Sequence, residues 1–273
     1  MEGSLNWMGK KDMDLGSQYH HCFWMGDMNY RSEVPSEDGA EMNKEQRFEH
    51  VRALIAQKDW PTLHSYDELS CEVVESRVLC DWTPLPCNFA PTFKVEREQP
   101  TEMYNPKRLP SYTDRMLVRS IPGFKDNLKV EEFTSCPEFV SSDHKPIRGL
   151  FEITPAPVVR SGGAFGRRLR LKFSRIAAKG LPQMDYGGKA DPYIVFSTDP
   201  KNILMKVNGK AAKSKTKKQT LDPEWKEEMV LHLKVQSEQD LEGVHLLMLF
   251  IDWDWGAMNP DDPIGVIQIP LKD

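Results

Sequence analysis

The chain has 273 residues, of which 28% are charged and 39% hydrophobic, and its formal net charge is -5. That balance describes a soluble globular protein of one large or two ordinary domains. It excludes a global attraction to nucleic acid or to an anionic membrane, so any such attraction has to come from a local patch. The five cysteines, Cys22, Cys71, Cys80, Cys87 and Cys136, fit no metal-ligand spacing and point to reduced thiols in a cytosolic protein. No apolar run is long enough to span a bilayer, and no apolar core of a signal peptide follows Lys10 and Lys11.

Residues 1–20 are polar and without a clear period. Cys22 to Met25 is an uninterrupted apolar run, the composition of a strand buried on both faces. It breaks at Gly26, and Asp27, Asn29 and Arg31 follow on alternate positions. In an extended segment these three would share one side, placing a carboxylate, an amide and a guanidinium at the mouth of a core strand. Asp27 can take a proton from water, Asn29 can contact both water and a phosphoryl oxygen, and Arg31 can neutralise charge. An Asx turn closing the strand is the bland alternative.

Helical patterning begins near Asn43, with Phe48, Val51, Leu54 and Ile55 on one face and Glu45, Gln46, Arg47 and Lys58 opposite. It is expected to end before Pro61, and a second short helix is expected around Ser65–Val74. A Pro-rich loop over 83–92 leads into a predicted strand, Pro91-Thr92-Phe93-Lys94. The stretch from Lys107 to Arg115, with Lys94, supplies cations of the kind that hold several phosphates at once. Asp143-His144-Lys145-Pro146 precedes the predicted strand Ile147–Ile153. A histidine between a carboxylate and a lysine can bind phosphate as a cation.

In order, G-D-x-N-x-R, P-T-F-K, R-L-P-S-Y-T-D-R and S-D-H-K-P resemble the inositol polyphosphate 5-phosphatase family, over roughly residues 20–153. The resemblance implies the four-layer α/β sandwich of the metal-dependent endonuclease/exonuclease/phosphatase superfamily. It implies that Asp27 activates the attacking water and that Asn29 orients water and phosphate. His144 is implied to bind the scissile phosphate, held by Asp114, with Asp143 beside a catalytic magnesium. Arg31, Lys94, Tyr104, Lys107, Arg108, Arg115 and Lys145 are implied to contact substrate, with Lys94, Tyr104, Lys107 and Arg108 near the neighbouring 4-phosphate. Pro106 stands where a lysine is usual in the phosphoinositide-preferring branch, so the preferred phosphoinositide stays open. The family's catalytic domain has an N-terminal half before G-D-x-N, with a magnesium-binding glutamate, whereas only residues 1–25 precede it here. The chain is therefore expected to be truncated at both ends, and inactive by itself.

Residues 154–166, punctuated by Pro155, Pro157 and Gly162-Gly163, read as a linker between a partial catalytic domain at 1–153 and a second domain at 167–273. The second domain alternates short strands with loops and reads as an all-β sandwich, so the whole is α+β. Asp185, Asp191, Asp252, Asp254 and Asp262 sit in its loops, where hard oxygen ligands suit calcium. G-L-P-x-x-D-x-x-G-K-A-D-P-Y, T-L-D-P-E-W-K-E and D-W-D resemble a C2 domain, which implies calcium and phospholipid binding by those carboxylates. A lysine run, with Lys213, Lys215, Lys217 and Lys218 at its end, lacks interleaved aromatic residues for base stacking and suits an anionic lipid surface.

The resulting expectation is a magnesium-dependent phosphoinositide 5-phosphatase, cytoplasmic and peripherally membrane-bound through a calcium-binding C2 domain, without a nucleic-acid partner. Its oligomeric state stays open. Two other readings are kept: a magnesium-dependent nuclease of the same superfamily, and a non-catalytic calcium- and lipid-binding adaptor.

Overall fold

The computed structural model describes residues 15–36, 42–99, 103–155, 169–184, 188–201, 203–235, 237–254 and 261–272. The chain divides into two compact units, one of residues 21–119 and 128–154, the other of residues 1–20, 120–127 and 155–273. No described helix is long and apolar enough to cross a membrane.

The first unit begins with β1 (His21–Asp27), which is followed by α1 (Lys44–Gln57), α2 (Trp60–Ser65) and α3 (Glu68–Val74). Then come β2 (Thr83–Pro84), β3 (Asp114–Ser120), β4 (Leu128–Ser135) and β5 (Ile147–Ile153). Sheet order is β1-β3-β2, and β4 and β5 form a separate antiparallel pair. β1 therefore lies at a sheet edge, which corrects the expectation of burial on both faces. Cys22 is buried, Phe23 and Trp24 are half-buried, and Met25 is 59% exposed.

α1 starts where its sequence says it should. Asn43 caps it in a capping box with Gln46, whose side chain returns to the Asn43 amide. Phe48, Val51, Leu54 and Ile55 are its buried face, packed in one core with Leu63, Cys87, Phe89, Val95 and Tyr112. Pro61 does not merely end a helix. It sits in the first turn of α2, where a missing amide costs nothing, and Asp59 caps that turn. The short helix expected around Ser65–Val74 is present as α3, and α2 before it is an additional short helix. The segment Pro91–Lys94 forms isolated bridges rather than a strand, Phe93 pairing with both Ser111 and His144.

Arg115 and Asp67 form a buried ion pair, 2.5 Å between Nη1 and Oδ2, with side chains 3% and 0% exposed. The same Asp67 oxygen accepts the amide and hydroxyl of Ser70, capping α3. This corrects the substrate-contact role expected of Arg115, whose charge is neutralised inside the core.

The second unit contains β6 (Arg170–Phe173), β7 (Ile176–Ala177), β8 (Pro192–Asp199), β9 (Glu224–Trp225), β10 (Met229–His232), β11 (His245–Asp252) and β12 (Asp262–Pro270). The sheet β12-β11-β8 faces the pairs β10-β6 and β7-β9 across a core of Ile194, Phe196, Trp225, Leu231, Leu246, Met248 and Phe250. Residues 212–217 run along the free side of β8, where backbone amides of Phe196, Ser214 and Lys217 bond across to Ala212, Ile194 and Pro192.

Two predictions come from this packing. Arg115→Met strands the Asp67 carboxylate in the core and is expected to destabilise the first unit by about 3–5 kcal/mol in urea unfolding, whereas Arg115→Met with Asp67→Leu costs much less. Burial pushes the Cys87 thiol up to about 12, while Cys71 and Cys80 are exposed. Since the thiolate is the nucleophile, iodoacetamide at about pH 8 is expected to label Cys71 and Cys80 in the native protein and Cys87 only after unfolding, read by mass spectrometry.

Candidate active site

The first unit brings four segments together around β3. At the end of β1, Gly26 has φ 145° with open space where a Cβ would lie, so glycine serves the backbone turn there. The Met28 amide then donates to Thr113 O at 2.8 Å. Asn29 is left-handed, φ 60°, and its amide donates to Asp27 Oδ1 at 2.9 Å. Asp27, Asn29 and Arg31 do converge, but through this Asx turn and not through strand alternation. Arg31 Nη2 donates to Asn29 Oδ1. Its guanidinium lies 4.4 Å from the centroid of the Phe93 ring, which compensates for a buried Nη1 that has no hydrogen-bond partner among the described residues.

On β3, the Asp114 oxygen Oδ2 is a hub. It accepts Thr92 Oγ1 at 2.6 Å and Thr113 Oγ1 at 3.0 Å, and it meets His144 Nδ1 at 3.0 Å. An ionised carboxylate only accepts, so Nδ1 carries the proton and Nε2 is left for another partner. The imidazole also packs on Phe93, centroids 4.5 Å apart. The backbone holds this arrangement: Lys145 N donates to Thr92 O and Val95 N to Asp143 O, so residues 92–95 lie between Ser111 and residues 143–145. Thr92, Thr113 and Phe93 were not singled out from the sequence, although each lies inside a motif that was.

Several expected substrate contacts are spent on the scaffold. Lys145 is buried and its Nζ donates to Phe139 O, while Tyr104 is buried with its hydroxyl on Pro91 O. Neither is placed to grip a phosphate. Lys94 Nζ lies 2.6 Å from Asp143 Oδ2 and Arg97 Nη2 3.2 Å from Oδ1. The Lys94 ammonium, with help from Arg97, holds the Asp143 carboxyl down to about 2 against a burial that works the other way. Lys107 and Arg108 are exposed, and with Arg31 they line a cavity of about 390 Å3.

Magnesium does not fit the described residues. Both oxygens of Asp143 are held by cations, and among the described residues no three His, Cys, Asp or Glu side chains gather as a metal site. No chemical step is assigned to a metal here.

The second unit's loops behave similarly. Asp185 lies outside the described residues. Asp252 is buried and accepts the Asp191 amide, and Asp191 Oδ1 accepts the Gln219 amide. Asp261, one residue before the expected Asp262 and exposed like it, makes the hydrogen bonds. It accepts the Tyr193 hydroxyl and the Asp254 amide, whereas Asp262 opens β12 with an exposed side chain. Asp191, Asp252 and Asp261 are thus tied to loop groups, and among the described residues no three acidic side chains gather as a metal site. Of the lysines, Lys213 lies over Tyr193 at 4.8 Å and Lys218 over Trp253 at 5.9 Å, Lys217 pairs with Glu227 at 3.4 Å, and Lys215 is exposed.

The family model described as Endonuclease/Exonuclease/phosphatase family 2 matches residues 3–150, more than half of the chain, and the C2 domain model matches residues 169–273. The chain is 30% identical over 166 residues to human phosphatidylinositol polyphosphate 5-phosphatase type IV, covering 58% of this chain and 24% of that protein. It is 29% identical over 174 residues to rat phosphatidylinositol 3,4,5-trisphosphate 5-phosphatase 1, covering 59% of this chain and 13% of that protein. The chain thus spans a quarter or less of the length of these relatives. Among solved structures, the inositol polyphosphate 5-phosphatase domain of SPsynaptojanin, in complex with inositol (1,4)-bisphosphate and calcium ion, superposes with TM-score 0.38 at 26% identity, covering 50% of this chain and 37% of that one. A Cimex nitrophorin ferrous NO complex gives TM-score 0.42 at 25% identity, covering 50% and 42%. On the extent of the family match, the chain belongs to endonuclease/exonuclease/phosphatase family 2, with a C2 domain following in the same chain.

Proposed function

We propose that the chain carries the phosphate-binding part of a phosphoinositide 5-phosphatase, in residues 1–153, and a C2 domain in residues 167–273 that docks the enzyme on anionic membrane. The observation that carries this reading is the His144–Asp114 pair, fixed by two threonine hydroxyls and joined through Phe93 to Arg31 and Asn29. A phosphate monoester is anionic, so its hydrolysis needs charge neutralisation and a placed water more than a covalent nucleophile. His144 Nε2 faces the scissile phosphate as a donor when the ring is protonated, and Asp114 stabilises that charge. Arg31 offsets negative charge on the phosphoryl oxygens, Asn29 orients, and Asp27 at the strand mouth accepts a proton from the attacking water. Magnesium dependence belongs to this proposal at the level of the complete enzyme, and calcium dependence of the C2 domain likewise. The cytoplasmic face of a membrane is the location both imply.

The lysine segment supports the docking half. Lys213 and Lys218 rest their ammonium groups on aromatic rings, an arrangement that holds them along residues 212–218 instead of free in solvent. Each lysine near an anionic bilayer contributes about 1 kcal/mol.

On the complete enzyme, His144→Ala is expected to lower phosphate release from phosphoinositide vesicles by roughly 10²–10³-fold with an unchanged circular dichroism spectrum, and Asp114→Asn by a smaller factor. Full activity of His144→Ala rejects the assignment. Replacing Lys213, Lys215 and Lys218 by Gln is expected to weaken sedimentation with phosphatidylserine vesicles, most visibly at low salt, and to leave hydrolysis of a soluble inositol phosphate intact. Vesicle binding that survives the triple change rejects the patch.

A further inference from the structure

Phe93 is buried, 8% exposed, yet it stands outside the apolar core. The described cluster around Val51, Leu63, Cys87 and Tyr112 does not include it, and neither do the residues packed against that cluster. The described neighbours of its ring are basic groups instead. The Arg31 guanidinium carbon lies 4.4 Å from the ring centroid and the Lys94 ammonium 5.5 Å, both within cation–π range. The centroid of the His144 imidazole lies 4.5 Å away, with the two planes at 39°. A leucine could fill such a space. What an aromatic ring adds is the negative potential of its face.

Two of the three basic groups have carboxylate partners. Lys94 Nζ is 2.6 Å from Asp143, and His144 Nδ1 is 3.0 Å from Asp114. Arg31 differs. Its Nη2 donates to Asn29 Oδ1, a neutral amide, and its Nη1 is buried without a hydrogen-bond partner among the described residues. Glu68 accepts the Arg31 backbone amide and not the guanidinium. A buried charge without a compensating group is strongly unfavourable, so the ring face is what holds this one in place. It does so in a particular way. A carboxylate would cancel the charge, whereas a quadrupole has no net charge and leaves the guanidinium positive for a ligand. The ring itself is clamped by backbone on two sides. Phe93 and Ser111 exchange both amide bonds, at 3.3 and 2.7 Å, while Lys145 N donates to Thr92 O and Val95 N to Asp143 O.

We infer that Phe93 is a positioning residue of the phosphate site, whose π face holds the Arg31 guanidinium beside the His144 imidazole without neutralising it. This rests on the proposed phosphatase function, in which Arg31 and His144 face one phosphate. Neighbouring cations repel, and a ring in contact with both lowers the cost of keeping them close. The requirement is for aromatic electron density and not for volume, which separates this role from packing.

The test is a phosphorus NMR titration of the whole chain with inorganic phosphate, in which Phe93 is exchanged for 4-fluoro-, 3,5-difluoro- and 3,4,5-trifluorophenylalanine. Each fluorine withdraws density from the ring face and changes the ring's volume little. Phosphate affinity is expected to fall stepwise along the series, by roughly five- to thirtyfold at the trifluoro ring. Phe93→Tyr is expected to keep the affinity, and Phe93→Leu to lose about as much as the trifluoro ring. In Arg31→Gln, where the guanidinium is gone, the same fluorines are expected to change affinity far less. Equal affinity across the fluorinated rings, or a series that stays as steep in Arg31→Gln, overturns the inference and leaves the phosphatase reading standing. Absence of phosphate binding by the folded, unmodified chain overturns the phosphatase reading and the inference together.

Discussion

Two neighbouring side chains on β3 carry the architecture of the first unit. Asp114 and Arg115 point to opposite sides of the strand, as successive residues must. Asp114 turns to the site and collects His144, Thr92 and Thr113 on one oxygen. Arg115 turns to the core and closes on Asp67, which in turn caps α3. A shift of one residue in this strand would bury the carboxylate that orients the histidine and expose the guanidinium that the core is built around. The register of β3 is therefore set by charge as well as by apolar pattern, and the catalytic geometry inherits that rigidity.

The cations of the first unit sort by the carboxylates near them. Arg115 is neutralised in the core, and Lys94 and Arg97 are neutralised at the rim by Asp143. Lys145 is held by a carbonyl, a dipole and not a charge. Lys107 and Arg108, which make no ion pair with a described residue, face an opening. A phosphate binder needs this division. Cations already matched by carboxylates fix the loops, and the unmatched ones remain for the ligand.

This sorting also explains what was legible in the sequence. The motif order and the start of α1 near Asn43 could be read directly, because they depend on neighbours in sequence, while the pairing of Asp114 with His144, 30 positions apart, came only as what the family resemblance implied. The fate of Arg115 could not, because its partner lies 48 positions away and is an N-cap that looks sufficient by itself. Tyr104 and Lys145 misled for the same reason: their polar atoms end on carbonyls of Pro91 and Phe139, and a sequence does not show where carbonyls point. β1 misled through composition, since a run of Cys22, Phe23, Trp24 and Met25 suits a central strand but stands at a sheet edge. In the second unit, Asp261 and Asp262 are chemically identical, and only the start of β12 decides which one turns toward Tyr193.

The threonines at Asp114 bear on how the site holds its histidine. A carboxylate paired with imidazole alone can rotate, and the pair can then exchange its contact for water. Here two hydroxyls from different segments, Thr92 and Thr113, bind the same oxygen that meets Nδ1. Both hydroxyls donate to it, and Nδ1 lies nearer to the Asp114 oxygen, at 3.0 Å, than to Thr113 Oγ1, at 3.4 Å, so its proton is directed to the carboxylate. The ring plane is further limited by Phe93. Nε2 is then the one imidazole nitrogen left for a ligand, and its direction is set before any substrate arrives. In the proposed phosphatase, preorganisation of this kind is what would let a single histidine stabilise charge on a phosphate without first reorienting, and it comes from two residues whose side chains carry no charge at all.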